Sequence, residues 1–190
     1  MFLSLYDFIL KISKKKFAPL ILSLVAFWES IIFPIPPDLL LIPMSLANKR
    51  KALYFASLTT IFSVLGGLIG YFIGLLFWAE IGQSLMQSLG YTGAYSTFSV
   101  LYREYGVMVI IVGALTPFPF KVVAILSGVM EFSILSFVLA ALVSRGFRFF
   151  IIASLILVWG EQINDFLKKY LSLLFSAIVI GSIGAYLFLK

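Results

Sequence analysis

Two apolar stretches hold all seven prolines of this 190-residue chain, and the motifs inside them repeat. Pro34-Ile35-Pro36 is followed by Asp38, and Pro117-Phe118-Pro119 by Lys121, at a constant offset of 83 residues. Proline has no amide proton to give a helix, and its ring clashes with the preceding turn. Each motif therefore predicts a broken helix inside a lipid-soluble run. Interruptions at matching positions in two halves of a chain are the sequence pattern of a transport site at mid-bilayer.

The surrounding residues set the solvent. With 62% hydrophobic residues, mean hydropathy +1.12 and only 12% charged residues, the chain is far too apolar for a water-soluble domain. It is expected to be one all-α integral membrane domain. There is no cysteine and no histidine. Thiolate metal sites, disulfides and imidazole general bases are thereby excluded, so no metal, no cofactor and no enzyme activity are expected. The net charge of +6 comes largely from lysine clusters that flank apolar runs, the habit of juxtamembrane anchors rather than of nucleic-acid binders.

Along the chain, residues 1–16 alternate polar and apolar at helical spacing and predict an interfacial helix, with no cleavable signal peptide. Residues 17–48 hold Glu29, Asp38 and five prolines, and predict a re-entrant hairpin that returns Lys49, Arg50 and Lys51 to the side of Lys14, Lys15 and Lys16. Residues 52–78 predict a full crossing with Gly66, Gly70 and Gly74 on one face, a ridge for helix packing that could also meet a second copy of the chain. Interfacial helices are expected over 80–105, and a second re-entrant hairpin over 106–130. Further crossings are expected over 132–160 and 171–189. Three crossings with two opposed hairpins make an inverted-topology repeat. The lysine-rich side is expected to face the cytoplasm.

Five ionisable residues fall at membrane depth: Glu29, Asp38, Lys121, Arg145 and Arg148. Each costs at least a few kcal/mol there, roughly 2.5–3.5 for Arg, Lys or Asp at a helix centre on insertion scales, unless paired or hydrated. Three cations against two acids leave a positive surplus, which fits an anionic guest. Lys121, Arg145 and Arg148 are the candidate phosphate ligands, aided by helix N-termini at the breaks set by Pro34, Pro36, Pro117 and Pro119. Glu29 and Asp38 would repel an anion, so their candidate role is proton exchange. A purely structural salt bridge, and for Asp38 a helix N-cap, are the plainer alternatives.

Glu29 ahead of FPIPPD (33–38), GALTPFPFKVVAILSG (113–128) and SRGFRFF (144–150) together resemble the DedA family, also called the SNARE-associated or VTT-domain superfamily, in its YqaA-like branch. The likeness covers about residues 20 to 160. It implies movement of lipids between leaflets, of undecaprenyl phosphate or phospholipids, dependent on the proton motive force. It also implies that Glu29 and Asp38 are the acids of the first hairpin and Lys121 the distal cation of the second. The earlier of two arginines that many relatives carry in that hairpin falls here on Ala114 or Leu115. Arg145 and Arg148 would supply the missing charge.

These observations lead to a flippase- or scramblase-like transporter of a phosphate-bearing lipid in a bacterial cytoplasmic (inner) membrane. A proton- or ion-coupled carrier of a small soluble anion uses the same residues, and a non-transporting scaffold would need them only to close the fold.

Overall fold

The computed structural model describes residues 17–33, 35–88, 92–115 and 119–188, with the backbone alone beyond Gln162. The expected interfacial helix over 1–16 lies outside these residues. All regular structure among them is helical. The order is α1 (Ala18–Glu29), α2 (Asp38–Ala47), α3 (Ala52–Phe77), α4 (Gln83–Ser88), α5 (Thr92–Leu115), α6 (Phe120–Val129) and α7 (Ile134–Phe188). A 3-10 turn, Lys49–Lys51, precedes α3, and a π-turn, Trp78–Gly82, follows it.

Helix breaks separate α1 from α2 and α5 from α6, at both proline motifs. Pro19 sits in the first turn of α1, where its missing amide costs nothing, and Pro37 and Pro119 cap the starts of α2 and α6. Pro34 and Pro117 themselves lie outside the described residues. The repeat extends to the element boundaries. Both short second helices have 10 residues, and α6 follows α2, as α7 follows α3, by 82 positions. The break in α7 at Trp159 has non-helical angles, φ −120° and ψ 29°, and corresponds in the repeat to the π-turn that begins at Trp78.

Among the described residues, two helices are long and apolar enough to cross a membrane: Lys49–Gly82 and Ile134–Gly160. At about 1.5 Å per residue, the 26 residues of α3 span roughly 39 Å. These two run antiparallel. The Phe137 ring lies 5.4 Å from Tyr71 late in α3, and Gly160 abuts Lys49 just before it begins. The third expected crossing, 171–189, falls where only the backbone of α7 is described, to Phe188.

Each hairpin leaves one end of this pair and returns to it. Ala18 and Leu22 share a core cluster with Leu41, Met44, Ala52, Ala56, Phe149 and Ala153, so the chain enters and leaves the first hairpin at the start of α3. Gly106 and Phe132 touch at the mouth of the second hairpin, and the hydroxyl of Tyr71 donates to the Phe132 carbonyl at 2.5 Å, near the end of α3. Both tips meet the middle of α3: Ser30 bonds Ser63, and Phe120 packs on Gly67. Of the short second helices, α6 lies along α3 of the other half, and α2 lies against both α7 and α3.

Small residues permit close packing of both hairpins on α3. A Cβ on Gly66 would stand 2.2 Å from the Phe27 carbonyl oxygen of α1, and one on Gly74 would stand 2.0 Å from the Ile125 carbonyl oxygen of α6. Gly128 of α6 returns the favour, its absent Cβ 1.9 Å from the Tyr71 carbonyl oxygen. The ridge of α3, Gly70 included, is thus filled by the chain's own hairpins, and a second copy would have to dock elsewhere.

One boundary differs from expectation. The division at residue 105/106 between interfacial helices and hairpin is absent, because α5 runs unbroken from Thr92 to Leu115. Gly106 alone does not stop a helix. It is there to admit the Phe132 ring, 2.7 Å from where a Cβ would be. The second hairpin closes on a Schellman cap: Phe132 N–H donates to the Ser127 carbonyl and Glu131 N–H to Gly128, each at 3.0 Å. Glu131 sits at the left-handed position of that cap with φ 51°.

Candidate functional site

All three membrane-depth cations come from the second half of the chain, and all three reach into residues 29–38 of the first. α7 carries Arg145 and Arg148 one turn apart on one face, and the first turn of α6 carries Lys121. The opposing groups are the last residue of α1, the carbonyls just beyond it and the first residue of α2.

Arg145 is the most enclosed. Its Nη2 donates to Glu29 Oε2 at 2.8 Å, with side chains only 4% and 16% exposed. Its Nε donates to Ser63 Oγ at 2.8 Å. Ser63 and Ser30 share a hydrogen bond of 2.9 Å, and Ser30 reaches Glu29 Oε2 at 3.3 Å, which closes a ring of four side chains. The guanidinium lies 4.9 Å from the centre of the Phe120 ring and 4.8 Å from that of Phe149, so aromatic faces cover what the hydroxyls do not. A buried charge needs such satisfaction on every side.

Arg148 is more open. Its Nη2 donates to Asp38 Oδ2 at 2.5 Å, with side chains 28% and 17% exposed. Asp38 does not cap α2, whose N-terminus has no side-chain hydrogen bond. Its second oxygen, Oδ1, is buried and has no hydrogen-bond partner among the described residues.

Lys121 makes no ion pair among the described residues. Its ammonium donates to the carbonyls of Ile32 at 3.2 Å and Phe33 at 3.5 Å. The amides of Ile31, Ile32 and Phe33 all turn back to one acceptor, the Trp28 carbonyl, at 3.1, 2.9 and 2.8 Å. Those crowded bonds leave carbonyls bare at the C-terminal end of α1, the negative pole of the helix, where a cation is favoured. Lys121 supplies it from the other half of the molecule.

The five sequence-predicted residues are therefore placed in one region, where the two breaks meet, and both acids are engaged by arginines. Sequence reasoning did not anticipate Ser30, Ser63, Phe120 or Phe149. The legible signal was Ser63, a polar residue on the small-residue face of a span that also holds Gly66 and Gly70. No group of His, Cys, Asp and Glu residues able to hold a metal occurs among the described residues.

Apolar grooves flank the region. One, of about 480 Å³, is lined by Ile21, Leu24, Val25, Trp28 and Phe33. Another, of about 500 Å³, lies between α5 and α6, with Gly113, Val122 and Leu126 among its walls. Both are open at the surface and lined by carbon.

A VTT domain model matches residues 35–158, a stretch that includes the second break, Asp38 and all three cations but starts within the first break, after Glu29 and Pro34. An uncharacterized protein of Haemophilus influenzae is 38% identical over 187 residues, covering 98% of this chain and 97% of its own length. A second uncharacterized protein, of Histophilus somni, is 36% identical over 187 residues with the same coverage of both chains. No solved structure matches.

Proposed function

The chain belongs to the VTT-domain, or DedA, family of membrane proteins, a family linked in general to membrane transport, and from that premise we propose that it moves a phosphate-bearing lipid between leaflets. In this reading the two hairpins are re-entrant, dip from opposite faces and meet at the bilayer midplane. α3 and α7 are the related crossings of an inverted repeat. Their antiparallel course and the return of each hairpin to its starting end support that assignment. The lysine-rich end, with Lys49, Arg50 and Lys51, faces the cytoplasm of a bacterial inner membrane.

The observation that carries the proposal is the grouping of five charges where two broken hairpins meet, beside grooves that only hydrocarbon would fill. A lipid satisfies both features at once, its phosphate on the cations and its chain along a groove. Among the candidate ligands, Arg148 and Lys121 are the accessible ones. Arg145, shut between two rings and bonded to Glu29 and Ser63, holds the scaffold instead. That division gives the scaffold reading its share of the truth without making it the whole function. Proton exchange at the carboxylates would couple movement of the lipid to the membrane gradient.

Reconstituted into liposomes, the protein is expected to speed leaflet exchange of a fluorescent polyprenyl phosphate or phospholipid. A charge-assisted hydrogen bond is worth about 1.5–3 kcal/mol, so Arg148→Ala should slow that exchange by about tenfold or more. Exchange no faster than in empty liposomes would remove the proposal, and gradient-driven uptake of radiolabelled inorganic phosphate in its place would assign the site to a soluble anion.

A further inference from the structure

Both apolar grooves end at one ammonium. The first follows α1 from Ile21 through Leu24 and Trp28 to Phe33, and Lys121 Nζ donates to the Phe33 carbonyl at 3.5 Å. The second lies between α5 and α6, and its wall on α6 begins at Val122, the residue after Lys121. An ammonium has three donors, and the carbonyls of Ile32 and Phe33 take two of them. Among the described residues, one donor is left for a guest.

The grooves leave that point in opposite directions. Ile21 adjoins Leu22, which shares a core with Ala52 at the start of α3. Met108 lies close in sequence to Gly106, which touches Phe132 at the far end of α3, where Tyr71 bonds the Phe132 carbonyl. Along the helices, Trp28 to Ile21 covers about 10 Å and Gly113 to Met108 about 8 Å. Each length is half or more of the roughly 15 Å between the midplane and one edge of the hydrocarbon core. The two grooves are also alike in size, about 480 and 500 Å³, and alike in their lining of carbon.

Hydrocarbon gains little by leaving the bilayer for such a groove, because lipid tails are as apolar as the side chains that line it. Affinity must then come from the headgroup. What the grooves select is the number and direction of the chains attached to it. One chain leading away from Lys121 fills one groove, and a second chain on the same headgroup fills the other.

We propose that the site takes a two-chain phospholipid in a splayed pose, with its phosphate at Lys121, one acyl chain along α1 and the other between α5 and α6, directed to opposite faces of the membrane. This rests on the transport reading for its meaning, since a lipid held in that pose belongs to neither leaflet and stands midway between them. The pose favours a diacyl phospholipid over a polyprenyl phosphate, whose single chain leaves one groove unmatched.

The chain has no cysteine, and Leu24 and Val112 are exposed in the first and second groove, so Leu24→Cys with Val112→Cys can carry two diazirine labels in one molecule. In phosphatidylcholine nanodiscs holding deuterated dipalmitoyl phosphatidic acid, illumination should join the two labelled peptides through a single deuterated lipid, read by mass spectrometry after proteolysis. Deuterated dipalmitoylglycerol at the same content has two chains and no phosphate, and should give about tenfold fewer bridges. A polyprenyl phosphate should label either position and bridge none. Labels found only on separate lipids, bridges as frequent with the diacylglycerol, or bridges through the polyprenyl phosphate overturn the proposal. Lys121→Gln should bring phosphatidic acid down to the diacylglycerol level, and a folded Lys121→Gln that bridges as the native residue does would equally overturn it. Should that variant fold poorly, the comparison of the two lipids on unaltered Lys121 decides by itself. Leaflet exchange is measured separately. Bridges in a protein that moves no lipid remove the transport reading and leave the pose standing, whereas exchange without bridges removes the pose alone.

Discussion

At the scale of single residues, the ring around Arg145 is where stability is concentrated. Removing one member of a buried ion pair leaves the other charge unsolvated at a cost of about 3–5 kcal/mol, whereas replacing both by apolar groups of similar volume is often neutral. Glu29→Gln is therefore expected to lower the unfolding midpoint in detergent sharply, and Glu29→Met combined with Arg145→Met to recover most of the loss. Glu131 offers the opposite case. It holds φ 51° in a cap position that glycine fills without a Cβ penalty, and it is exposed. Glu131→Gly should raise stability by about 0.5–1 kcal/mol, read from the same unfolding curves. The five charges were legible in the sequence because ionisable residues in apolar runs are costly and stand out. Their pairing was not, since nothing in spacing tells which arginine takes which acid 110 or 116 residues away. Apart from Ser63, the groups that enclose Arg145 were hidden for a simpler reason: Ser and Phe are common in a membrane helix.

At the scale of elements, the paired prolines marked the helix breaks, while Pro43 lies inside α2 and a lone glycine marked none. Both breaks fall at the proline motifs, with α2 and α6 starting at Asp38 and Phe120. Gly106, expected to open the second hairpin, lies inside α5 and makes room for a ring. The difference is physical. Proline beyond a helix's first turn deletes a hydrogen bond, while glycine weakens a helix only by about 1 kcal/mol, which packing easily outweighs. The ridge on α3 was legible as a place for close approach, but not whose backbone approaches. The partners are α1 at Gly66 and α6 at Gly74, and the contact with α6 is reciprocal through Gly128. Gly128→Ala places a methyl group 1.9 Å from the Tyr71 carbonyl oxygen, backbone that cannot swing aside. It should separate α3 from α6 and abolish folding or lower the unfolding midpoint more than Gly93→Ala, whose Cβ would meet nothing within 4 Å.

For the molecule as a whole, the crossover of the short helices matters more than any one contact. α6 of the second half lies on α3 of the first, and α2 of the first lies on α7 of the second as well as on α3. Chains 1–88 and 92–190 expressed separately should be degraded, and expressed together should reassemble into a species that co-purifies. Survival of either piece by itself would contradict this architecture. The same arrangement has a consequence for biogenesis. The ribosome delivers Glu29 and Asp38 long before Arg145 and Arg148, so the nascent first half must wait in the insertion machinery with two unanswered carboxylates and an unfilled glycine seam.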